Sequence, residues 1–295
     1  METASAVEAF ERLRRTALRR QRLEAALGLA AFTVLLVVAF QRSQFFGANI
    51  GGDPLGRILT FLGRMVPDLQ AKSLLLGRQQ HGSLAWWYYD LPVWLRAGWQ
   101  TIEMAILATL AGAAAAMVAG FLCARNLMPY APVRFAVRRT LEVIRTLPEL
   151  IVALFLVAAF GVGPLAGVIT LSLATFGNLG KLFAEINEEV DPRPLEGLDA
   201  SGAGFLRKIR FGVMPQVLPN YASYALIRLE GNVAAAAALG IVGAGGIGLH
   251  LQRAITYTEF DTYFAILLLI VGMIFVIDIA SEQIRHRLIG LKAER

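Results

Sequence analysis

Glu196-Gly-Leu-Asp-Ala-Ser-Gly202-Ala203, followed by Phe205-Leu-Arg-Lys-Ile-Arg-Phe-Gly-Val-Met-Pro215, is a charged island between two long apolar runs. Asp191-Pro-Arg-Pro194 just ahead of it stops one helix and can start another, since proline is tolerated in a helical first turn. Leu195 and Leu198 then lie three apart on one face of a short helix, available to enter a groove on a partner. Glu196 and Asp199 flank that face, and both favour the early helix through its dipole. Gly202 permits a sharp change of direction, and Ala203 follows it. The island reads as a docking loop rather than an ordinary connection.

The apolar runs around it set the class. The chain has 295 residues, 56% hydrophobic and 17% charged. A soluble domain carries about 25% charged residues, so this composition favours an integral membrane protein. The net charge of +6 does not point to nucleic acid, because the charges cluster between apolar runs. One cysteine, Cys123, excludes an internal disulfide framework, and His81, His250 and His286 are too scattered to hold a metal. No cofactor, metal set or catalytic residue is expected. The arginine-rich start (Arg12, Arg14, Arg15, Arg19, Arg20, Arg22) precedes an apolar run with no small-residue cleavage site, which reads as a retained span.

A membrane span takes about 20 mostly apolar residues. Six candidates emerge, all helical: Leu23–Phe40, Gly98–Cys123, Thr140–Phe160, Pro164–Phe183, Val213–Val242 and Thr262–Ser281. Arg125, Arg134, Arg138 and Arg139 follow the second span. Arg193, Arg207, Lys208 and Arg210 follow the fourth, and Arg285, Arg287, Lys292 and Arg295 end the chain. These fall on one side with the arginine-rich start, so both termini and the 184–212 loop are expected in the cytoplasm. The chain divides into a first part, 1–97, and a core, 98–290. The first part holds the basic tail, the first span and an external interfacial segment. Trp86, Trp87, Tyr88, Tyr89, Trp94 and Trp99 read as an aromatic anchor at the membrane–water boundary.

Two short motifs are set aside. Gly243-Ala-Gly245-Gly-Ile-Gly248 has the letters of a nucleotide-binding turn, but it follows an alanine-rich helix rather than a strand and reads as a glycine-rich helix break. Gly180-Lys181 lacks both flanks of a phosphate loop, so ATP is not bound by that route. Ala108, Gly112, Ala116 and Gly120 recur every four residues, a face for close helix packing.

Charges inside the spans need partners or a wet cavity. Allowing the fifth span a helical lead-in at the membrane surface, Arg228 lies about ten residues into the membrane and Glu149 about ten into the third span, each about 15 Å deep. Arg228 and Asn232 share a helix face and can offer two donors to a passing anion, whereas Glu230 points elsewhere. Two readings stay open: a structural Arg228–Glu149 pair, or an arginine that attracts an anion with Glu149 moderating how tightly it is held.

The docking loop resembles the cytoplasmic coupling loop of bacterial ABC importer permeases. That pattern is Glu-Ala-Ala, a glycine four residues on, then about nine residues to a hydrophobic-x-hydrophobic-Pro ending. Glu196, Gly202, Ala203 and Pro215 match it, while Gly197, Leu198 and Gly212 depart from it. Residues 98–290 resemble the phosphonate-type branch through Ala124-Arg125-Asn126, Arg145-Thr-Leu-Pro148-Glu149, Gly177-Asn-Leu-Gly-Lys181-Leu-Phe-Ala-Glu185 and Arg228-Leu-Glu230-Gly-Asn232. The resemblance implies a type I importer permease in the bacterial inner membrane, carrying phosphonate, phosphate or phosphite. It implies a homodimer in membrane lipid, two separate ABC ATPase subunits and a periplasmic binding protein. Leu195, Glu196, Leu198, Asp199, Gly202 and Ala203 would then couple to the ATPase, and Arg228, Asn232 and Glu149 would line the substrate path. A permease for methionine or another small solute shares the coupling loop. A membrane-embedded enzyme would need a nucleophile or metal set that the histidines and Cys123 do not supply.

Overall fold

The computed structural model of the chain describes residues 2–43, 53–70 and 72–293, and the side chains of 14–43, 53, 55–70 and 72–287 among them. Arg12, Lys292 and Arg295 of the basic clusters lie outside the described side chains. Every regular element among the described residues is a helix. The chain divides into two compact units, Met1–Phe61 and Leu62–Arg295.

The first unit holds α1 (Glu2–Arg42) and the start of α2 (Pro54–Met65). The apolar run expected over Leu23–Phe40 is the second half of α1, whose Arg14–Arg42 stretch is long and apolar enough to cross a membrane. Leu23, Phe32 and Leu35 are exposed along it, as suits a helix whose solvent is lipid. The Asp53 carboxylate accepts the Leu55 N–H at 3.1 Å, which caps α2.

In the second unit, α3 (Leu84–Trp87) leads into α4 (Leu91–Cys123). Then come α5 (Ala131–Thr146), α6 (Glu149–Phe160) and α7 (Pro164–Glu188). The docking loop forms α8 (Pro192–Ala200), α9 (Phe205–Arg207) and a π-helical turn, Lys208–Val213. Next are α10 (Met214–Gly240), α11 (Gly248–Thr256) and α12 (Phe260–Ala293). The centre is the α4–α7 pair, packed through small residues. A Cβ on Gly112 would stand 2.6 Å from Thr175 Cβ, and one on Gly120 2.9 Å from Phe183 Cβ. The small-residue face of α4 therefore does what close packing requires.

One expected span is corrected. Thr140–Phe160 is not a continuous helix: α5 and α6 meet at 87° across Leu147-Pro148. Proline drives the preceding residue out of helical geometry, and Leu147 is extended at φ −75°, ψ 122°. At about 1.5 Å per residue, α6 alone reaches about 18 Å, short of a membrane core of about 30 Å. Among the described residues, four helices are long and apolar enough to cross, or five if α5–α6 is one bent span. α10 has the length, 27 residues, but its polar side chains keep it outside that set.

The glycine-rich stretch breaks the chain as expected. Gly243, Gly245 and Gly246 have φ of +95°, +93° and +70°, a region closed to most side chains. The break folds α11 back against α10, where a Cβ on Gly248 would collide with the Ala237 carbonyl. Thr101 Oγ1 accepts the Ile247 N–H at 2.9 Å and ties this turn to α4. The aromatic cluster is only partly a boundary anchor. Trp87 and Trp94 are buried against α11 and α12, and the Trp87 indole N–H donates to the Asp261 carbonyl at 2.9 Å. Trp99 is exposed.

Candidate functional site

Arg228 and Asn232 lie one turn apart on α10, so both reach the α4–α7 seam. The Arg228 guanidinium donates to Glu149 Oε1 at 2.7 Å through Nη2 and to Thr175 Oγ1 at 3.4 Å through Nε. The Asn232 amide, fully buried, donates to Thr109 Oγ1 at 2.8 Å and to Thr175 Oγ1 at 2.9 Å. Its carbonyl Oδ1 has no hydrogen-bond partner among the described residues. Sequence reasoning brought Arg228, Asn232 and Glu149 together and missed Thr175 and Thr109. No sequence signal marked Thr175, whose place against Gly112 of α4 shows only once the two helices are packed.

Glu149 is not in mid-helix. It is the first residue of α6, directly after Pro148, so the α5–α6 bend aims its carboxylate at Arg228. The side chains of Arg228 and Glu149 keep 22% and 32% of their exposure, so the pair borders space rather than being sealed. A partly open ion pair beside a buried amide can exchange one carboxylate for another anion at modest cost. A fully buried pair could not. Glu230 does point away, toward Arg285 on α12 at 3.6 Å.

The docking loop forms a hydrogen-bonded unit at the end of the bundle where α7 stops. Asp191 caps α8 by accepting the Arg193 N–H at 3.0 Å, and the Asp191 N–H donates to Gln216 Oε1 at 3.0 Å. α8 ends in a Schellman motif. The Gly202 N–H reaches the Asp199 carbonyl at 3.0 Å and the Ala203 N–H reaches the Leu198 carbonyl at 2.9 Å. Gly202 takes φ +72° there. The leucine face does not turn outward. Leu195 is buried, and both Leu195 and Leu198 rest on Gly212, where an added Cβ would stand 3.0 Å from each side chain. Asp199 is held by Lys208. Glu196 and Gly197 form the exposed side. The apolar residues thus seat α8 on the π-helical turn, and the polar edge is what a partner would meet.

Residues 116–290 match the family of binding-protein-dependent transport system inner membrane components. The chain belongs to that family, and with its apolar helices it is a multi-pass inner-membrane transport component. It is 46% identical over 154 residues to HtxE of Stutzerimonas stutzeri, covering 52% of this chain and 59% of that one. It is 39% identical over 193 residues to the phosphite transport system permease protein PtxC of the same organism, covering 65% and 70%. With the phosphate-import permease protein PhnE of Mycolicibacterium smegmatis it shares 38% over 190 residues, 64% of this chain but 36% of the relative. The chain thus spans 59% and 36% of the lengths of HtxE and PhnE. Among solved structures it resembles the inward-facing MetNI methionine ABC transporter, with TM-score 0.58, 21% identity, and 67% and 97% of the two chains covered. A bacterial alginate ABC transporter superposes with TM-score 0.59 and 14% identity, over 88% and 98%. The fold is the ABC importer permease fold.

Proposed function

We propose that the chain is the membrane-spanning subunit of an ATP-driven importer of phosphonate or a related oxyanion, phosphate or phosphite. The observation that carries this reading is the pairing of Arg228 and Asn232 on one helix face, with Arg228 held by Glu149 at the edge of open space. An oxyanion takes the place of the Glu149 carboxylate on Arg228 during passage. The names of PtxC, a phosphite transport permease, and of PhnE, a phosphate-import permease, support the substrate class. Their identities of 39% and 38% favour it over methionine, whose probable permease MetI of Vibrio cholerae is 26% identical over 174 residues.

Six helices cross: α1, α4, the bent α5–α6, α7, α10 and α12, with both termini in the cytoplasm. Residues 1–97 form the tail, first crossing and external segment, and 98–290 the permease core with its 184–212 coupling loop. The chain itself is non-catalytic. Two copies form a homodimer in lipid, two ABC subunits dock on the α8 edges (Glu196 to Ala203), and a periplasmic binding protein delivers substrate outside. ATP binding and hydrolysis rock α8, and alternating access follows. The chain purified from native membranes should bring an ABC ATPase with it, and Glu196→Arg should weaken that capture. Capture of no ATPase from membranes that actively import the oxyanion would overturn the reading.

A further inference from the structure

Three stretches singled out in the sequence meet at a place that the proposed path does not use. Arg125 follows α4, Arg138 and Arg145 lie two turns apart on α5, and Lys181 and Glu188 lie two turns apart on α7. They line one cleft of about 590 Å³ beside the buried Cys123. The cleft is built by glycines. A Cβ on Gly180 would stand 2.5 Å from Leu141 Cδ2, and one on Gly177 3.1 Å from the Arg145 backbone nitrogen. α5 therefore presses close on α7, and their polar rows face each other around the end of α4.

The carboxylates in this cleft are already engaged. Glu188 Oε1 accepts from Arg138 at 3.3 Å and from the Arg125 backbone N–H at 2.9 Å. Glu142 accepts from Arg139 at 2.5 Å. Lys181 and Glu185 make only a loose pair, 3.9 Å apart and about half exposed. Among the described residues, no ion pair involves Arg125 or Arg145. Two exposed guanidinium groups without carboxylates, next to a loosely held lysine, complement a phosphate-type anion. The planar fork of arginine suits such oxygens better than a point charge does.

We propose that this cleft binds a phosphate or phosphonate group through Arg125, Arg145 and Lys181. It lies six residues along α7 from Thr175, about 9 Å toward α8. The group can come from a free oxyanion or from the headgroup of an anionic lipid. Only the first source rests on the importer reading.

The test uses the full chain in phosphatidylcholine nanodiscs titrated with inorganic phosphate by calorimetry, against Arg125→Gln/Arg145→Gln. Both arginines are exposed, so the variant should fold normally, and exposed Arg253→Glu at the other end of the unit makes the same change of two in net charge as a control. Phosphate binding weakened by at least about tenfold in the double variant alone assigns a free-anion site. Unchanged phosphate binding, together with phosphatidylglycerol retained by the wild type and lost by the double variant in native mass spectrometry, assigns a headgroup site. If neither anion distinguishes the double variant from the wild type, the proposal is wrong. No outcome depends on uptake, so failure of the importer reading would show separately.

Discussion

At Thr175 one hydroxyl oxygen serves two donors, Arg228 Nε and Asn232 Nδ2, and it has room only because Gly112 faces it. Thr175→Val keeps the shape and removes the acceptor, which leaves a buried amide short of a partner. The variant should insert normally, lose oxyanion uptake, and lose roughly 1–3 kcal/mol in unfolding measured in detergent. Thr175→Ser should restore both; unimpaired uptake in the valine variant would remove Thr175 from the account. Arg228 and Glu149 call for a double-mutant cycle. Arg228→Ala should abolish uptake. If Arg228→Ala/Glu149→Ala assembles normally and still fails to transport, Arg228 belongs to the path. Recovered uptake in the double variant would make the pair structural only. The charged residues of this cluster were legible in the sequence because charges are scarce in apolar runs. Threonines are not scarce there, so Thr109 and Thr175 became visible only when α4 and α7 were set side by side.

Among the elements, α8 carries the coupling argument. Its proline start, its glycine stop and its short length are written in Asp191-Pro-Arg-Pro194 and Gly202. Which face turns inward is not, because the seat for Leu195 and Leu198 is Gly212, seventeen residues beyond Leu195 and on the far side of a turn. Gly202→Val forces a β-branched residue into φ +72° and should cost about 1–3 kcal/mol locally. Gly212→Val would push both leucines off their seat. Each variant should reach the membrane and lose substrate-stimulated ATPase activity in the assembled transporter. Retained stimulation in both would mean that α8 is not the transmitting element. The α5–α6 bend was equally hidden in an apolar run, although Pro148 was its local cause.

For the whole molecule, the class and most of the crossing segments follow from the lengths of the apolar runs and the placement of basic residues. The polar content of α10 blurs the count. Orientation needs an introduced probe, because the native Cys123 is 1% exposed and a poor target for labelling. Ser201→Cys in a Cys123→Ala background places a thiol at the exposed end of α8. Impermeant maleimide should modify it in inverted vesicles and not in intact cells; the reverse pattern would put the coupling loop outside. The central claim, that this chain carries a phosphorus oxyanion at the expense of ATP, is tested most directly in proteoliposomes. They would hold the chain with its co-purified ATPase and the binding protein that it accepts. Labelled phosphonate, phosphite, phosphate and methionine would each be supplied outside, with ATP inside. The account predicts ATP-dependent accumulation of at least one of the three oxyanions and none of methionine. Accumulation of methionine alone, or oxyanion entry that is indifferent to ATP, would contradict it.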